Sequence, residues 1–268
     1  YCFRGGQRSK ITQEWLAEAG VTLPRLQGGY KAFRNYLMQE SERISEEAET
    51  IIIGGRTGSG KTLLIHKLDN EIDLEGLANH RGSSFGRYTT PQPQQIDFED
   101  QLSYKLIQHE NEGHKQLVIE HESHNIGRVF IPKPVFENLQ QGSLIILETP
   151  IEERVQITFD EYVISALEQY KVHHGEDGEQ VWFDDMNASL DRIKKRLGSE
   201  RYHSLKVVLE SAFRIQHVSG KLEAHKEWVQ ALLEEYYDPM YDYQIEKTPI
   251  PIIFRGNEAS ILEFLKNQ

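Results

Sequence analysis

The chain has 268 residues, of which 38% are hydrophobic and 27% charged, and a formal net charge of −12 at pH 7. That length holds one large domain or one domain plus part of another, and no apolar run approaches the roughly 20 residues of a membrane-spanning helix. The acidic balance excludes a uniformly basic nucleic-acid binder but leaves room for a local basic patch. One cysteine excludes an internal disulfide framework, and no signal-peptide pattern is visible, so a reducing, cytoplasmic setting is expected.

The chain opens on Tyr1 instead of Met, and its first motif begins at Cys2 with no strand ahead of it, as expected of a fragment lacking its N-terminal part. Cys2-Phe3-Arg4-Gly5-Gly6-Gln7-Arg8-Ser9 reads as a reactive-cysteine loop. Its small residues let backbone N–H groups face the sulfur, while Arg4 and Arg8 add positive charge. Ser9 is placed to cap a helix carrying Ile11, Trp15, Leu16 and Ala19, which Gly20 stops. A thiol beside a helix N-terminus and two arginines should have a lowered pKa. The loop resembles that of rhodanese domains, which carry sulfur or selenium on cysteine. Its Cys-x5-Arg interval also resembles protein phosphatase loops, although Tyr1 stands where those have histidine; a plain surface cysteine in a glycine turn is the third reading. Val21 to Leu26 reads as a short strand, Gly28-Gly29 as a turn, and Tyr30 to Leu37 as an amphipathic helix using Phe33 and Leu37. Residues 1–40 then form the tail of a rhodanese domain, too small to bury a core alone. The acidic stretch Ser41 to Thr50 is the expected domain boundary.

The apolar run Ile51-Ile52-Ile53 leads into Gly54-Gly55-Arg56-Thr57-Gly58-Ser59-Gly60-Lys61-Thr62, which from Gly55 satisfies the P-loop pattern G-x-x-x-x-G-K-[ST]. Glycines there let successive N–H groups turn onto one anion, with the next helix pointing its positive end the same way. Lys61 would neutralise the outer phosphate and Thr62 would hold a magnesium ion. Next, Ile72-Asp73-Leu74-Glu75-Gly76 delivers carboxylates at a strand end. The polar loop Leu77 to Gly86 follows, with His80, Arg81, Ser83 and Ser84. Such a mixture reads as a site loop, the alternative being a glycine-flexed surface loop.

Ile96 to Gln108 is a helix with Phe98, Leu102, Leu106 and Ile107 inward, and Leu117-Val118-Ile119 is a buried strand ending in Glu120-His121-Glu122-Ser123. An acid at the end of a parallel strand beside a P-loop can hold magnesium; Glu120 and Glu122 rank equally. Arg128 would aim another guanidinium at the same anion. After a helix from Pro134 to Gln141 and a strand from Ser143 to Leu147 comes a helix with Arg154, which reaches either back to phosphate or to an intrahelical acid. Asp185 to Tyr236 is helical, interrupted at Gly198 and Ser219-Gly220. Asp238 to Tyr243 reads as a closing turn, Ile250 to Phe254 as a last strand and Ala259 to Leu265 as a last helix. The pattern is α/β: a P-loop parallel sheet over residues 46–268, with a helical C-terminal lobe at about 185–236, preceded by the rhodanese tail.

Four segments together resemble the tRNA 2-selenouridine synthases, which join a rhodanese domain to a P-loop domain: Tyr1 to Ser9, Gly54 to Thr62, Asp73 to Gly86, and Glu120 to Arg128. Phe3 stands where a tryptophan is expected. The resemblance implies a two-stage reaction at the wobble uridine of certain tRNAs. The 2-thio sulfur is alkylated from geranyl diphosphate, and selenium from selenophosphate then displaces the geranylthiol. It implies Cys2 as selenium carrier, the P-loop as diphosphate site with Lys61 and Arg81 stabilising departing pyrophosphate, and no tightly bound cofactor. ATP is not required by the net reaction. The basic run from Arg192 to Lys226, chiefly Lys194, Lys195 and Arg196, is the expected tRNA surface, with Tyr236, Tyr237 and Tyr241 available to stack on bases. Two other readings stay open: a small-molecule P-loop kinase or NTPase, and a non-catalytic sulfur or selenium carrier.

Overall fold

The computed structural model describes residues 1–267. In chain order the elements are α1 (Gln7–Glu18), α2 (Gly29–Glu47), β1 (Glu49–Gly55), α3 (Lys61–Ile65), β2 (Glu71–Ile72), α4 (Leu74–Leu77), α5 (Gln95–Asn111) and β3 (Gln116–Glu120). A small hairpin, β4 (Asn125–Ile126) and β5 (Val129–Phe130), precedes α6 (Lys133–Leu139), β6 (Ser143–Leu147) and α7 (Ile151–Phe159). A π-helical turn, Asp160–Ser165, joins α7 to α8 (Ala166–His174), followed by α9 (Gly178–Leu197), α10 (Ser199–Ser219) and α11 (His225–Leu232). A second π-helical turn, Leu233–Tyr237, leads into α12 (Asp238–Lys247), and β7 (Ile252–Gly256) and α13 (Glu258–Lys266) close the chain.

Five parallel strands form one sheet in the order β2-β3-β1-β6-β7. The strands are short apolar runs because both faces are covered. Side-chain alternation divides them: Ile52, Leu117, Ile119, Leu144 and Ile146 meet α2, α5 and α6, while Ile51, Ile53, Val118, Ile145 and Leu147 meet α3 and α13. The chain leaves β1 toward β2 and β3 on one side and later toward β6 and β7 on the other. The loop after β1 thus sits at the point where strand order reverses, where open α/β sheets bind ligands. A separate core fills the helical lobe, from Val155 and Phe159 through Trp182 and Leu209 to Tyr236 and Tyr237.

The expected α/β fold is present, with local differences. Val21 to Leu26 is not a strand: its apolar residues Val21, Leu23 and Leu26 are exposed and no neighbouring strand pairs with it among the described residues. The acidic stretch from Ser41, the expected domain boundary, begins as the last turns of α2. Ser41, Ile44 and Ser45 face inward there, and the acids pair outside: Arg43 bridges Glu40, Glu47 and Glu110. Ser9 does not cap α1. Gly6 holds that position, and the Ser9 hydroxyl lies inside the first turn against the Gly6 carbonyl and the Cys2 sulfur. Asp238 to Tyr243 continues as helix α12, with Pro239 in its first turn directly after the π-helical turn Leu233–Tyr237, an irregularity that accommodates the missing N–H.

Candidate functional site

The phosphate-type loop turns at Gly58 (φ +76°) and Gly60 (φ +84°), both left-handed. A side chain at Gly58 would also strike the Thr158 hydroxyl, 2.3 Å from the Cβ position. Lys61 lies back over the loop and its ammonium donates to the Gly55 carbonyl at 3.1 Å. Thr62 Oγ1 donates to Glu120 Oε1 at 2.9 Å, and Glu120 Oε2 accepts from the Leu74 amide at 3.1 Å and the Glu75 amide at 3.4 Å. Glu120, only 1% exposed, is therefore the strand-end acid behind the threonine. Burial, then the fields of Glu75 and Asp73, raise its pKa to about 8.

Glu122 has a different partner. It accepts from Glu75, which carries the proton: burial and the Glu122 charge push Glu75 up to about 9, and burial raises Glu122 as well. Gly82 (φ +62°) passes directly over the pair, where a Cβ would sit 2.1 Å from Glu75 Oε1 and 2.8 Å from Glu122 Oε1. Asp73 caps α4, accepting from the Gly76 amide at 2.6 Å, and its other oxygen meets His66 Nε2 at 2.9 Å. Arg81 is buried, paired through Nε with Glu161 at 2.8 Å, and lies over the Tyr88 ring with its guanidinium carbon 3.9 Å from the centroid.

These groups share one cavity of about 920 Å³. Charged groups line it, Lys61, Glu75, Arg81, Glu122 and Glu161, with the loop backbone. Apolar and aromatic side chains line it as well, among them Leu63, Phe136, Ile157, Met240 and Tyr243, with Leu63 and Ile157 beside Gly60 of the loop. Such a lining offers charged and apolar contacts in one space.

Residues 48–268 match the family model described as the tRNA 2-selenouridine synthase AAA domain. The chain is 56% identical over 266 residues to the tRNA 2-selenouridine synthase of Sulfurovum sp. (strain NBC37-1), a match covering 99% of this chain and 73% of that protein. It is 49% identical over 273 residues to that of Hydrogenovibrio crunogenus, covering 100% of this chain and 74% of the relative. The chain belongs to the tRNA 2-selenouridine synthase family. No solved structure matches it.

In this member of the family, Gly55, Gly58, Gly60, Lys61, Thr62, Asp73, Glu75, Arg81, Ser83 and Glu122 all line the cavity. Ser59 and Glu120 lie just behind it, Ser59 with its hydroxyl buried and unpartnered. His80 is buried but outside the cavity wall. Its β-bridge to Arg87 closes the loop, and burial with the Arg87 charge lowers its pKa. Ser84 contributes its carbonyl to Arg192, not a side chain to the cavity. Arg128 does not face an anion there: it is exposed on the β4–β5 hairpin, which Gln92 fixes through the Arg128 amide and the Ile126 carbonyl.

Cys2 is outside the cavity too. Its carbonyl accepts from the Tyr30 amide at 3.1 Å, which seats the loop on the start of α2. The Cys2 pKa is lowered to about 6, mainly by hydrogen bonding from Ser9, with backbone amides of Ser9, Gly6 and Arg4 assisting. The lowering expected from the Arg4 and Arg8 side chains is thus supplied by hydrogen bonds; both arginines are exposed. Of the expected tRNA surface, Lys194, Lys195 and Arg196 are exposed at the end of α9. Arg192 instead holds the Ser84 carbonyl at 2.7 Å. Tyr236 and Tyr237 are unavailable for stacking, because both are buried in the lobe core, and Tyr241 faces Gly54.

Sequence reasoning missed Glu161, Tyr88 and Asp238, and misread Arg154. Arg154 neither reaches a phosphate nor pairs within its helix: it is 2% exposed, donates to the Thr57 carbonyl at 3.0 Å and pairs with Asp238 at 2.5 Å. Nothing local in the sequence marks that pair, which lies 84 residues apart.

The protonated Glu75 has a consequence for stability. The unfolded chain releases this proton near the ordinary carboxyl pKa, about 4.3, while the folded site holds it to about 9. Folded protein thus binds more protons across that window, so stability is greatest below it and declines as pH rises toward 9. Urea denaturation of Glu75→Gln between pH 5 and 9 should show a shallower decline, with the variant more stable than wild type at pH 8 by about 1 kcal/mol or more. An unchanged slope would mean the proton resides elsewhere.

Proposed function

We propose that the chain converts wobble 2-thiouridine in tRNA to 2-selenouridine in two stages. In the first, the 2-thio sulfur displaces diphosphate from geranyl diphosphate; in the second, selenium from selenophosphate replaces the geranylthiol. The observation that carries this reading is the mixed lining of the cavity, in which the P-loop and its charged neighbours share one space with Leu63, Phe136, Ile157 and Met240. A prenyl diphosphate uses both kinds of contact, its diphosphate the charged groups and its hydrocarbon the apolar ones. Lys61 and Arg81 supply positive charge where negative charge builds on the oxygens of the departing diphosphate.

A magnesium ion fits at Thr62. Its hydroxyl proton is committed to Glu120, which leaves the oxygen lone pairs free. Among the described residues there is no cluster of three or more His, Cys, Asp or Glu able to hold a metal alone. Such an ion would therefore rely on ligand oxygens, as magnesium does with phosphates, and would screen their charge.

We read residues 1–40 as the C-terminal part of a rhodanese domain and 46–268 as the P-loop domain. At neutral pH the Cys2 thiol is largely ionised, which suits a group that handles the selenium donor. The exposed Lys194, Lys195 and Arg196 provide phosphate-contacting charge for tRNA.

Incubation with 2-thiouridine tRNA and geranyl diphosphate, followed by nucleoside mass analysis, should yield S-geranyl-thiouridine; adding selenophosphate should convert it to selenouridine. Lys61→Ala should slow geranyl transfer about 100-fold or more, whereas Cys2→Ala should keep geranyl transfer and lose selenation. Hydrolysis of ATP without tRNA, and no geranylated product, would favour a small-molecule NTPase instead. Charge reversal at Lys194, Lys195 and Arg196 should weaken tRNA binding about tenfold and flatten its salt dependence; unchanged binding at every salt concentration would return this surface to plain solvation.

A further inference from the structure

A phosphate-binding loop works only if its N–H groups face the anion and its carbonyls do not. In this chain two of those carbonyls are held from outside the cavity. Thr57 O accepts from Arg154 Nε at 3.0 Å, and Ser59 O accepts from the Thr149 hydroxyl at 2.9 Å. Arg154 and Thr149 do not line the anion cavity. They line a second one of about 500 Å³ behind the loop, together with Arg56 and Ser59. The pull on the Thr57 carbonyl is therefore directed away from the ligand side.

Arg154 is 2% exposed, and a cation so deeply buried needs a counter-charge. Asp238, at the start of α12, provides it through two bonds at 2.9 and 2.5 Å, the fork geometry that fixes a guanidinium in orientation as well as position. The same helix start holds the loop a second time: Arg56 pairs with Asp242 at 2.7 Å and lies 3.6 Å from Asp238. Gly58 adds a steric contact, since the Cβ position there is 3.0 Å from the Arg154 carbonyl oxygen. Farther along, α12 contributes Met240, Tyr241 and Tyr243 to the cavity wall.

We propose that Arg154 and Asp238 are positioning residues for the diphosphate site: the buried pair holds the Thr57 carbonyl back, so that the loop presents its amides to the anion. The pair acts through the loop and does not touch the ligand. This inference rests on the reading of the loop as a diphosphate cradle.

Titration calorimetry of the whole chain with inorganic pyrophosphate tests both. The double variant Arg154→Met/Asp238→Leu replaces the ion pair with apolar side chains, an exchange that buried pairs commonly tolerate. Its thermal midpoint should stay near that of wild type, while pyrophosphate affinity falls about tenfold or more. In the geranyl-transfer assay the same variant should raise KM for geranyl diphosphate and leave kcat little changed. A folded double variant with wild-type affinity would overturn the positioning role. Failure of the wild-type chain to bind pyrophosphate would instead overturn the cradle reading, and the inference with it. Arg154→Lys covers the case in which the double variant does not fold. It keeps the charge beside Asp238 but cannot hold both partners, so affinity should again fall; wild-type affinity in a folded Arg154→Lys would show that charge, not the tie to Thr57, is what matters.

Discussion

The Glu120 carboxylate is the junction on which the site depends. One oxygen receives the Thr62 hydroxyl and the other receives two amides at the start of α4, so a single buried group ties the phosphate loop, the end of β3 and the segment after β2. Each of those bonds replaces water that a carboxylate only 1% exposed has lost. Moving any of the three segments would leave a buried carboxyl oxygen or a buried amide without a partner, which costs more than an ordinary surface hydrogen bond contributes. The positions of Glu75, one residue into α4, and of Glu122, two residues past β3, follow from this junction.

Crowding acids beside Glu120 has an electrostatic consequence. Glu75 and Glu122 are not both ionised in this setting, so one proton stays between them; the Lys61 charge favours their ionised forms, whereas Glu161 adds a further negative field on Glu75. The cavity is thus neither a plain cationic cradle nor an acidic one. Lys61 and Arg81 share it with the proton-holding carboxyls of Glu75 and Glu122. Gly82 is what permits the arrangement, since its backbone crosses the pair at a distance no side chain tolerates.

What the sequence disclosed follows physical range. The phosphate loop, the Ile51-Ile52-Ile53 strand, the Ser143–Leu147 strand and the breaks at Gly198 and Gly220 are set by neighbours a few residues away, and each lies where the pattern puts it. Val21 to Leu26 has strand-like residues, but a strand needs a partner and the sequence does not say where one lies. The acids after Ser41 mark a boundary in the sequence but do not disclose its structure, in which Ile44 and Ser45 belong to the buried stripe of α2. Glu161 was illegible for another reason: it falls in the π-helical turn Asp160–Ser165, whose extra residue shifts the facing of side chains away from the 3.6-residue period. Tyr236 and Tyr237 are polar-tipped aromatics that sequence alone leaves equally suited to a core or to a stacking surface, and here the lobe core takes them.

The cysteine loop and the phosphate loop are linked by the geometry of one helix. The chain runs through α2 straight into β1, and α2 lies alongside α5 in the same direction: Tyr30 and Arg34 meet Asp100 near the start of α5, and Arg43 meets Glu110 near its end. Helix α5 begins at the C-terminal edge of the sheet, because it descends to the start of β3. The start of α2, where Cys2 is seated, therefore lies toward the edge that carries the phosphate loop. At about 1.5 Å per residue, α2 spans roughly 28 Å, enough to carry the thiol from the bottom of the sheet back to its top. The Arg34 pairs are about one-fifth exposed, so they are shielded better than ordinary surface ion pairs and fix the helix register more firmly. The Cys2 loop and the phosphate loop thus lie toward one edge of one sheet, joined through a continuous helix in place of a flexible linker.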